Sequence, residues 1–480
     1  MARRLSELVK RELAQDPEIT GVTADSRKVK PGALFAALPG TNADGRAFAR
    51  QALAQGAAAI IAESEIEGVD APTIVTPDPR RAYALAAAAY FRAQPDVCVA
   101  VTGTNGKTSV ATFCRQIFSR LGRNAASMGT LGVRTAAEQL TPPGLTTHDA
   151  ADVAELLAEL VGKGVTHLAL EASSHGIDQR RLDGVKLTAA GFLNLTQDHL
   201  DYHGTMEAYL AAKLRLFEAL LTRGGTAVLN ADSEAYPAFA AAAVQAGHTV
   251  FSVGERGQGL KLVAREPTPE GQRLTVEAEG RTFELALPLV GAYQASNALV
   301  AAGLCIATGE EVGPVLEALA HLEGAPGRLQ RVGRGPRGGE AYVDYAHTPD
   351  GLETVLTALR PHVRGRLLVV FGAGGDRDRG KRPIMGEIAV RLADLAIVTD
   401  DNPRSEDPAA IRGEILAGAA GAREIGDRRE AIRAAVAELA EGDVLVVAGK
   451  GHEQGQIVGS VVHPFDDVGE VRAALEAGHG

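Results

Sequence analysis

The run Gly103-Thr104-Asn105-Gly106-Lys107-Thr108-Ser109 follows the apolar segment VCVAVT and has the make-up of a phosphate loop. Such loops carry a first glycine five residues before the Gly-Lys pair; here Val101 holds that position. The other parts are in place. Backbone amides of Gly103 to Lys107, at a helix N-terminus, suit phosphate oxygens. Lys107 brings a positive charge to the terminal phosphates, and Thr108 or Ser109 offers magnesium a hydroxyl. Further on, THLALE delivers Glu171 at a strand end. A carboxylate beside a phosphate loop is a natural magnesium ligand, because magnesium prefers hard oxygen donors. GFLNLTQDHLDYHG then gathers Asn194, Asp198, His199, Asp201 and His203 after another strand, which as a set reads as a polar site. In the helical pattern MEAYLAAKLRLF, spacing alone leaves Lys213 as a solvated surface residue.

These residues need elements to hold them. Val110, Phe113, Ile117 and Leu121 recur at helical spacing after the loop, so the loop joins a buried strand to a helix with one buried face. The same alternation of short apolar strands and helices runs on through EAYVDYAHTPDG, RLLVVFGAGGDRDRG, LAIVTDDNPRSED and DVLVVAGKGHEQG. That pattern predicts an α/β fold with parallel sheets. The 480 residues suggest about three domains. Expected boundaries are 1–95, with a polar helix at its start and a helix-like GRAFARQALAQGAAAIIAE; 96–325, ending near the turn EGAPGRLQRV; and 326–480.

Lys plus Arg number 49 and Asp plus Glu 60, a net charge of −11. That balance argues against nucleic acid or an acidic membrane surface as the main partner, though a local arginine cluster can still oppose it. Cys98, Cys114 and Cys305 have neither metal nor disulfide spacing, which suits a reducing, cytoplasmic setting. MARRLSELVKRELAQ lacks the apolar run of a signal peptide, and no membrane span is expected.

Taken together, DSR (Asp25–Arg27), GTNGKTS, EASSHG, NLTQDHLDYHG, AAK (Ala211–Lys213), YQASN, DYAHTPD, GDRDRGKRP, DDNPRSE and GKGHE resemble the Mur ligases in order and spacing along nearly the whole chain. The resemblance implies three domains: one for a uridine nucleotide, a central P-loop ATPase-like parallel sheet for ATP, and a C-terminal Rossmann-like domain for an amino acid. The partners it implies are UDP-N-acetylmuramoyl-L-alanyl-D-glutamate and meso-2,6-diaminopimelate, with ATP and Mg2+ as cofactors and a monomer as the expected state. Residue by residue, it places Ala24, Ser26, Thr41, Asn42 and Ala43 at the uridine nucleotide. Thr146, Thr147, Ser173, Gln179 and Arg181 fall at the muramoyl dipeptide. Glu171 and His199, with Thr108, are implied as metal ligands, and Lys213 as a carbamylated lysine at the second magnesium. Asn297, Arg328, Asp344 and His347 fall at the adenine nucleotide. Arg377, Asp401, Asn402, Pro403, Arg404, Gly449 and Glu453 fall at diaminopimelate. One departure is Leu145, where related enzymes often carry asparagine before the two threonines.

The implied chemistry is amide formation through an acyl phosphate. Lys107, His199 and Lys213 are its expected catalytic residues, and closure of the last domain on the middle one would exclude water. Arg404 follows the strand LAIVT at a carboxyl end, where α/β sheets bind ligands. Its fork suits the second carboxylate that distinguishes diaminopimelate from lysine. A plainer role for Arg404 is a surface pair with Glu406 or Asp407. Two other functions stay open on the residues alone. Folylpolyglutamate synthase shares the loop, although DSR and DNPR argue against it. A nucleotide-dependent switch leaves the C-terminal polar strand ends without a task.

Overall fold

The structure, a computed structural model, describes residues 2–40 and 44–477. Two compact units divide the chain: Met1–Lys261 with Leu299–Val315, and Leu262–Ala298 with Leu316–Gly480. Both are α/β.

In the first unit, Gly21–Thr23, Ala33–Ala36, Ala59–Ala62 and Thr73–Val75 form a four-stranded parallel sheet. Helix Pro79–Phe91 buries Tyr83, Ala84, Ala87 and Tyr90 in the same core as Leu34, Ala36 and Ile61. Two early expectations change here. The opening helix is only Leu5–Val9, stopped by Lys10 in the left-handed region. The helix-like alanine run is helical to Ala54 and then enters the strand Ala59–Ala62, where β-branched Ile60 and Ile61 fit a sheet buried on both faces.

A second sheet of this unit runs in the order Thr249–Gly254, Leu221–Asn230, Leu187–Phe192, Val97–Thr102, His167–Glu171, Ala125–Gly129, Gly132–Thr135. All neighbours are parallel except the last pair. The register sets Glu171 beside Val101 and Phe192 beside Thr102. Three carboxyl ends therefore finish level, and the loops that follow them share one edge. Helix Lys107–Arg120 leaves that edge and buries Val110, Phe113 and Ile117 of the face read from spacing; Phe118 joins them, whereas Leu121 is the half-buried C-cap.

The second unit begins with antiparallel strands that the alternating strand-helix pattern did not anticipate. Gly271–Ala278 pairs with Arg281–Leu287 across the two-residue turn Glu279-Gly280, both at positive φ as a tight hairpin requires. Its main sheet has the order Gln330–Arg334, Glu340–Asp344, Val444–Ala448, Leu367–Phe371, Leu395–Val398, Arg423–Glu424, parallel apart from the first pair. Leu367, Val369 and Phe371 face helices Pro349–Leu359 and Lys381–Leu392, whereas Leu368 and Val370 face Arg428–Glu438 and Asp467–Ala477. Coverage on both faces explains why these strands are apolar throughout instead of alternating.

The last helix is fastened by a buried ion pair. Arg428 donates to both carboxylate oxygens of Asp467 at 2.7 Å, and both side chains have 0% exposure. Burial raises the Asp467 pKa, and Arg428 opposes that shift. Removing one member leaves the other charged and unpaired in the interior. Asp467→Ala is expected to lower the unfolding free energy by about 3–5 kcal/mol. Urea unfolding checks this as a fall in midpoint at unchanged slope; an unmoved midpoint contradicts it.

Candidate active site

The phosphate loop is bound to the strand end beside it. Thr104 N donates to Asn194 O at 3.0 Å, Asn105 N to Asn194 Oδ1 at 3.0 Å, and Asn194 Nδ2 returns a bond to Asn105 O. Thr196 N donates to Thr104 Oγ1 at 2.9 Å. This corrects the expectation that amides from Gly103 to Lys107 all face phosphate, because those of Thr104 and Asn105 are engaged by Asn194. The first-turn amides of Lys107, Thr108 and Ser109 have no acceptor within the helix and form the anion-facing end. Gly106 caps the helix, and the Lys107 ammonium folds back onto Gly103 O and Thr104 O, both at 2.8 Å.

Glu171 is buried, and its carboxylate accepts from Thr108 Oγ1 at 3.0 Å and Thr130 N at 2.9 Å. A Cβ on Gly129 would stand 2.0 Å from Glu171 Oε1, so only glycine lets the carboxylate lie there. The chain of contacts continues outward. Thr130 Oγ1 meets Thr146 Oγ1 at 2.9 Å, and Thr147 Oγ1 meets Ser173 Oγ at 3.0 Å. Arg181 donates to Thr147 O at 2.6 Å and to Gln179 Oε1 at 2.7 Å. No carboxylate among the described residues lies within ion-pair distance of Arg181, and burial lowers its pKa. Thr146, Thr147, Ser173, Gln179 and Arg181, expected at one ligand, are thus one connected surface. Leu145 beside them is 62% exposed. Ala24 and Ser26 are half-buried in this unit; Thr41, Asn42 and Ala43 lie outside the described residues.

Lys213 overturns the reading from spacing. It is 1% exposed, with Nζ 2.9 Å from Gly103 O and 4.4 Å from the Tyr209 ring centre. Burial, reinforced by Lys107, pushes its pKa well below the ordinary lysine value. The helix Met206–Arg215 turns Tyr209, Ala212 and Lys213 inward together. Tyr209, four residues earlier on that face, was the available signal; its hydroxyl lies 3.2 Å from Thr104 Oγ1. His199 sits in the left-handed region, with the His175 ring 4.8 Å away. Thr130, His175 and Tyr209 are the site residues that spacing missed. Among the described residues, no three His, Cys, Asp or Glu side chains converge as a cation cage.

The second unit carries the remaining candidates. Asn297 is buried and donates to Gln294 Oε1 at 3.0 Å. Asp344 accepts from Leu329 N at 2.6 Å and Ala346 N at 2.8 Å, with burial raising its pKa. The Arg328 guanidinium lies 4.5 Å from the Tyr345 ring, and His347 is exposed next to it. Asn402 differs from expectation. Its Oδ1 accepts from Lys450 Nζ at 2.8 Å and Ile457 N at 2.9 Å, and its Nδ2 donates to Glu453 Oε2 at 3.0 Å. The amide chiefly ties the Asp401–Arg404 loop to the Gly449–Glu453 loop, so Lys450 joins the site as its internal cation. Asp401 and Pro403 are buried, Gly449 has φ of 124°, and Arg377 is exposed. Arg404 donates to Gly375 O at 2.7 Å and pairs with neither Glu406 nor Asp407.

The Mur ligase family catalytic domain matches residues 18–92, the Mur ligase middle domain 101–305, and the Mur ligase glutamate ligase domain 327–451. The chain belongs to the Mur ligase family. A Caulobacter vibrioides protein named UDP-N-acetylmuramoyl-L-alanyl-D-glutamate--2,6-diaminopimelate ligase is 71% identical, covering 99% of both chains. An Agrobacterium fabrum protein of the same name is 55% identical over 95% of this chain and 93% of its own. A solved structure of a ligase with that name superposes with a TM-score of 0.78 at 37% identity, covering all of both chains. Use of ATP follows from membership of the Mur ligases.

The burial of Lys213 has a measurable consequence. Its folded pKa lies below its unfolded value, so the unfolded chain binds the additional proton and stability rises with pH through that window. As pH rises towards the unfolded lysine value of about 10.4, wild type should gain stability relative to Lys213→Met. Chemical denaturation at several pH values checks this; parallel pH curves for the two proteins contradict it.

Proposed function

We propose that this chain is the ATP-dependent ligase that joins meso-2,6-diaminopimelate to UDP-N-acetylmuramoyl-L-alanyl-D-glutamate in peptidoglycan precursor synthesis. The observation that carries the reading is the 71% identity to the Caulobacter ligase along 99% of both chains. The family matches at 18–92, 101–305 and 327–451 support a division at 1–95, 96–325 and 326–480 into uridine-nucleotide, ATP and amino-acid domains. We take the enzyme to act as a cytoplasmic monomer.

A carboxylate oxygen of the D-glutamate attacks the γ-phosphorus of ATP, and ADP leaves. The amine of diaminopimelate then attacks the acyl carbon, inorganic phosphate departs, and the nitrogen gives up a proton. Lys107 supplies the fixed charge where three anionic groups must meet, and the first-turn amides of its helix hold phosphate oxygens. Arg181, without a carboxylate partner, suits the anionic dipeptide, with Thr146, Thr147, Ser173 and Gln179 fixing its pose. Thr108 and Glu171, 3.0 Å apart, offer the hard oxygens that magnesium favours, and His199 adds a nitrogen. Bound there, magnesium would offset the repulsion between the nucleotide and the attacking carboxylate. Burial and Lys107 favour the unprotonated amine of Lys213, the form that adds carbon dioxide to give a carbamate and a proton. Asn297, Arg328, Asp344 and His347 are assigned to the adenine nucleotide, Ala24 and Ser26 to the uridine nucleotide. Arg404 and Arg377 are assigned to the distal carboxylate of diaminopimelate, with Asp401, Asn402, Pro403, Gly449 and Glu453 around its amine end.

Phosphate release should require both the dipeptide nucleotide and diaminopimelate; release independent of amino acid would favour a switch. Lys107→Ala should lose about 10²–10³-fold in kcat while remaining folded. Lys213→Arg should be nearly inactive despite keeping its charge, and full activity in that variant would exclude a carbamate. Lysine should be used about 10²–10³-fold less well than diaminopimelate, because it leaves Arg404 unpaired. Arg404→Ala should erase that preference in kcat/KM, and a preference that survives contradicts the assignment.

A further inference from the structure

Arg404 lies two residues from Glu406, yet the two do not pair. Glu406 is held instead by Arg382, in the first turn of helix Lys381–Leu392. Arg382 Nη2 donates to Glu406 Oε1 at 2.8 Å and Nη1 to Glu406 Oε2 at 2.9 Å. The same Nη1 reaches Glu414 Oε2 at 2.7 Å, and Nη2 also reaches Gly374 O at 3.2 Å. The Arg382 side chain has 0% exposure. A buried guanidinium is costly unless its charge is matched, and here two carboxylates match it.

The neighbouring carboxylate is engaged as well. Asp376 accepts from Ser405 Oγ at 2.6 Å and Ser405 N at 3.2 Å, and Asp376 N donates to Glu406 Oε1 at 2.6 Å. Between these contacts Arg404 has φ of 51° and exchanges backbone bonds with the hairpin of Gly455–Val458 and Val461–Pro464, from Arg404 N to Ile457 O at 3.0 Å and from Gly459 N to Arg404 O at 2.7 Å. A Cβ on Gly375 would stand 1.9 Å from Pro403 O, so the GAGGDR glycines serve this close loop packing. Among the described residues, no carboxylate lies within ion-pair distance of Arg404 or Arg377, although Glu406 is two residues from Arg404 and Asp376 adjoins Arg377 in sequence.

We infer that Arg382 is a specificity-determining positioning residue, which holds Glu406 away from Arg404 so that the Arg404 guanidinium stays open to an anionic group on the incoming amino acid. This rests on the assignment of Arg404 to the distal carboxylate of diaminopimelate. Arg382 touches no substrate in this account. Its effect passes through the carboxylate it occupies, so removing both together should restore what removing Arg382 alone destroys.

The test measures KM and kcat for diaminopimelate and lysine in wild type, Arg382→Met, Glu406→Gln, the double variant and Arg404→Ala, with thermal unfolding of each. Arg382→Met leaves Glu406 with Asp376 N and the exposed Arg379, 3.9 Å away, and so open to neutralising Arg404. KM for diaminopimelate should rise about tenfold or more, the worth of one charged contact, with kcat within about threefold and lysine little affected. Glu406→Gln should stay near wild type, and the double variant should return to its level. An unchanged KM in Arg382→Met, or a double variant no better than the single, overturns the inference, since a purely structural arginine would not be rescued by losing its partner. Should Arg382→Met fail to fold, Arg382→Lys takes its place, because one ammonium cannot hold both carboxylates in this geometry. A raised KM rescued by Glu406→Gln supports the inference, and an unchanged KM overturns it. Arg404→Ala separates the two levels: if it keeps the preference for diaminopimelate, the underlying assignment falls. If it loses the preference while Arg382→Met keeps it, only the role of Arg382 falls.

Discussion

Lys107 and Lys213 donate to the same carbonyl oxygen, Gly103 O, at 2.8 and 2.9 Å. Two ammonium groups on one acceptor, one of them buried, repel strongly where the dielectric is low. The conflict is relieved on Lys213, whose pKa burial and Lys107 both push down. Lys107 stands at the phosphate end of the helix, and Lys213, less ready to hold a proton, stands behind the loop. That division depends on the parallel register which sets three strand ends level, and on Tyr209 and Asn194, which hold the loop from the other side.

Cations kept apart from carboxylates recur in both units. Arg181 donates to Thr147 O and Gln179 Oε1, and among the described residues no carboxylate is within ion-pair distance of it. Arg404 donates to Gly375 O while Glu406 is held by Arg382. A protein that handles three anionic reactants gains nothing from arginines already neutralised by its own acids. It needs donors whose geometry is set by neutral carbonyls and whose charge is still available. Where the fold needs stability instead of availability, as at Arg428 and Asp467, the charges are paired in full and shut away.

The scaffold ties these charges across loops that are distant in sequence. Asn402 links the loop after Leu395–Val398 to the one after Val444–Ala448 through Lys450 and Glu453. Arg382 and Asp376 link that same loop to the one after Leu367–Phe371. Neighbouring parallel strands make this possible, since their carboxyl ends open on one edge where side chains of separate segments can meet.

What could be read from the residues was whatever depends on local order. The phosphate loop, the helix face of Val110, Phe113 and Ile117, and Glu171 at its strand end are all short-range patterns, because a helix or strand repeats within a few residues. The run of motifs in fixed order carried the family, the α/β class and the reaction. Tertiary structure decided what depends on partners far along the chain. Lys213 read as a surface lysine because its helix has a weak apolar pattern, and only packing against Gly103 buries it. The amides of Thr104 and Asn105 read as phosphate donors until Asn194, 89 residues from Asn105, took both of them. Arg404 and Glu406, two residues apart, were open to pairing on sequence alone; Glu406 is bonded instead by Arg382, 24 residues away. A hydrogen bond is satisfied by whatever the fold brings within about 3 Å, and sequence distance has no say in that.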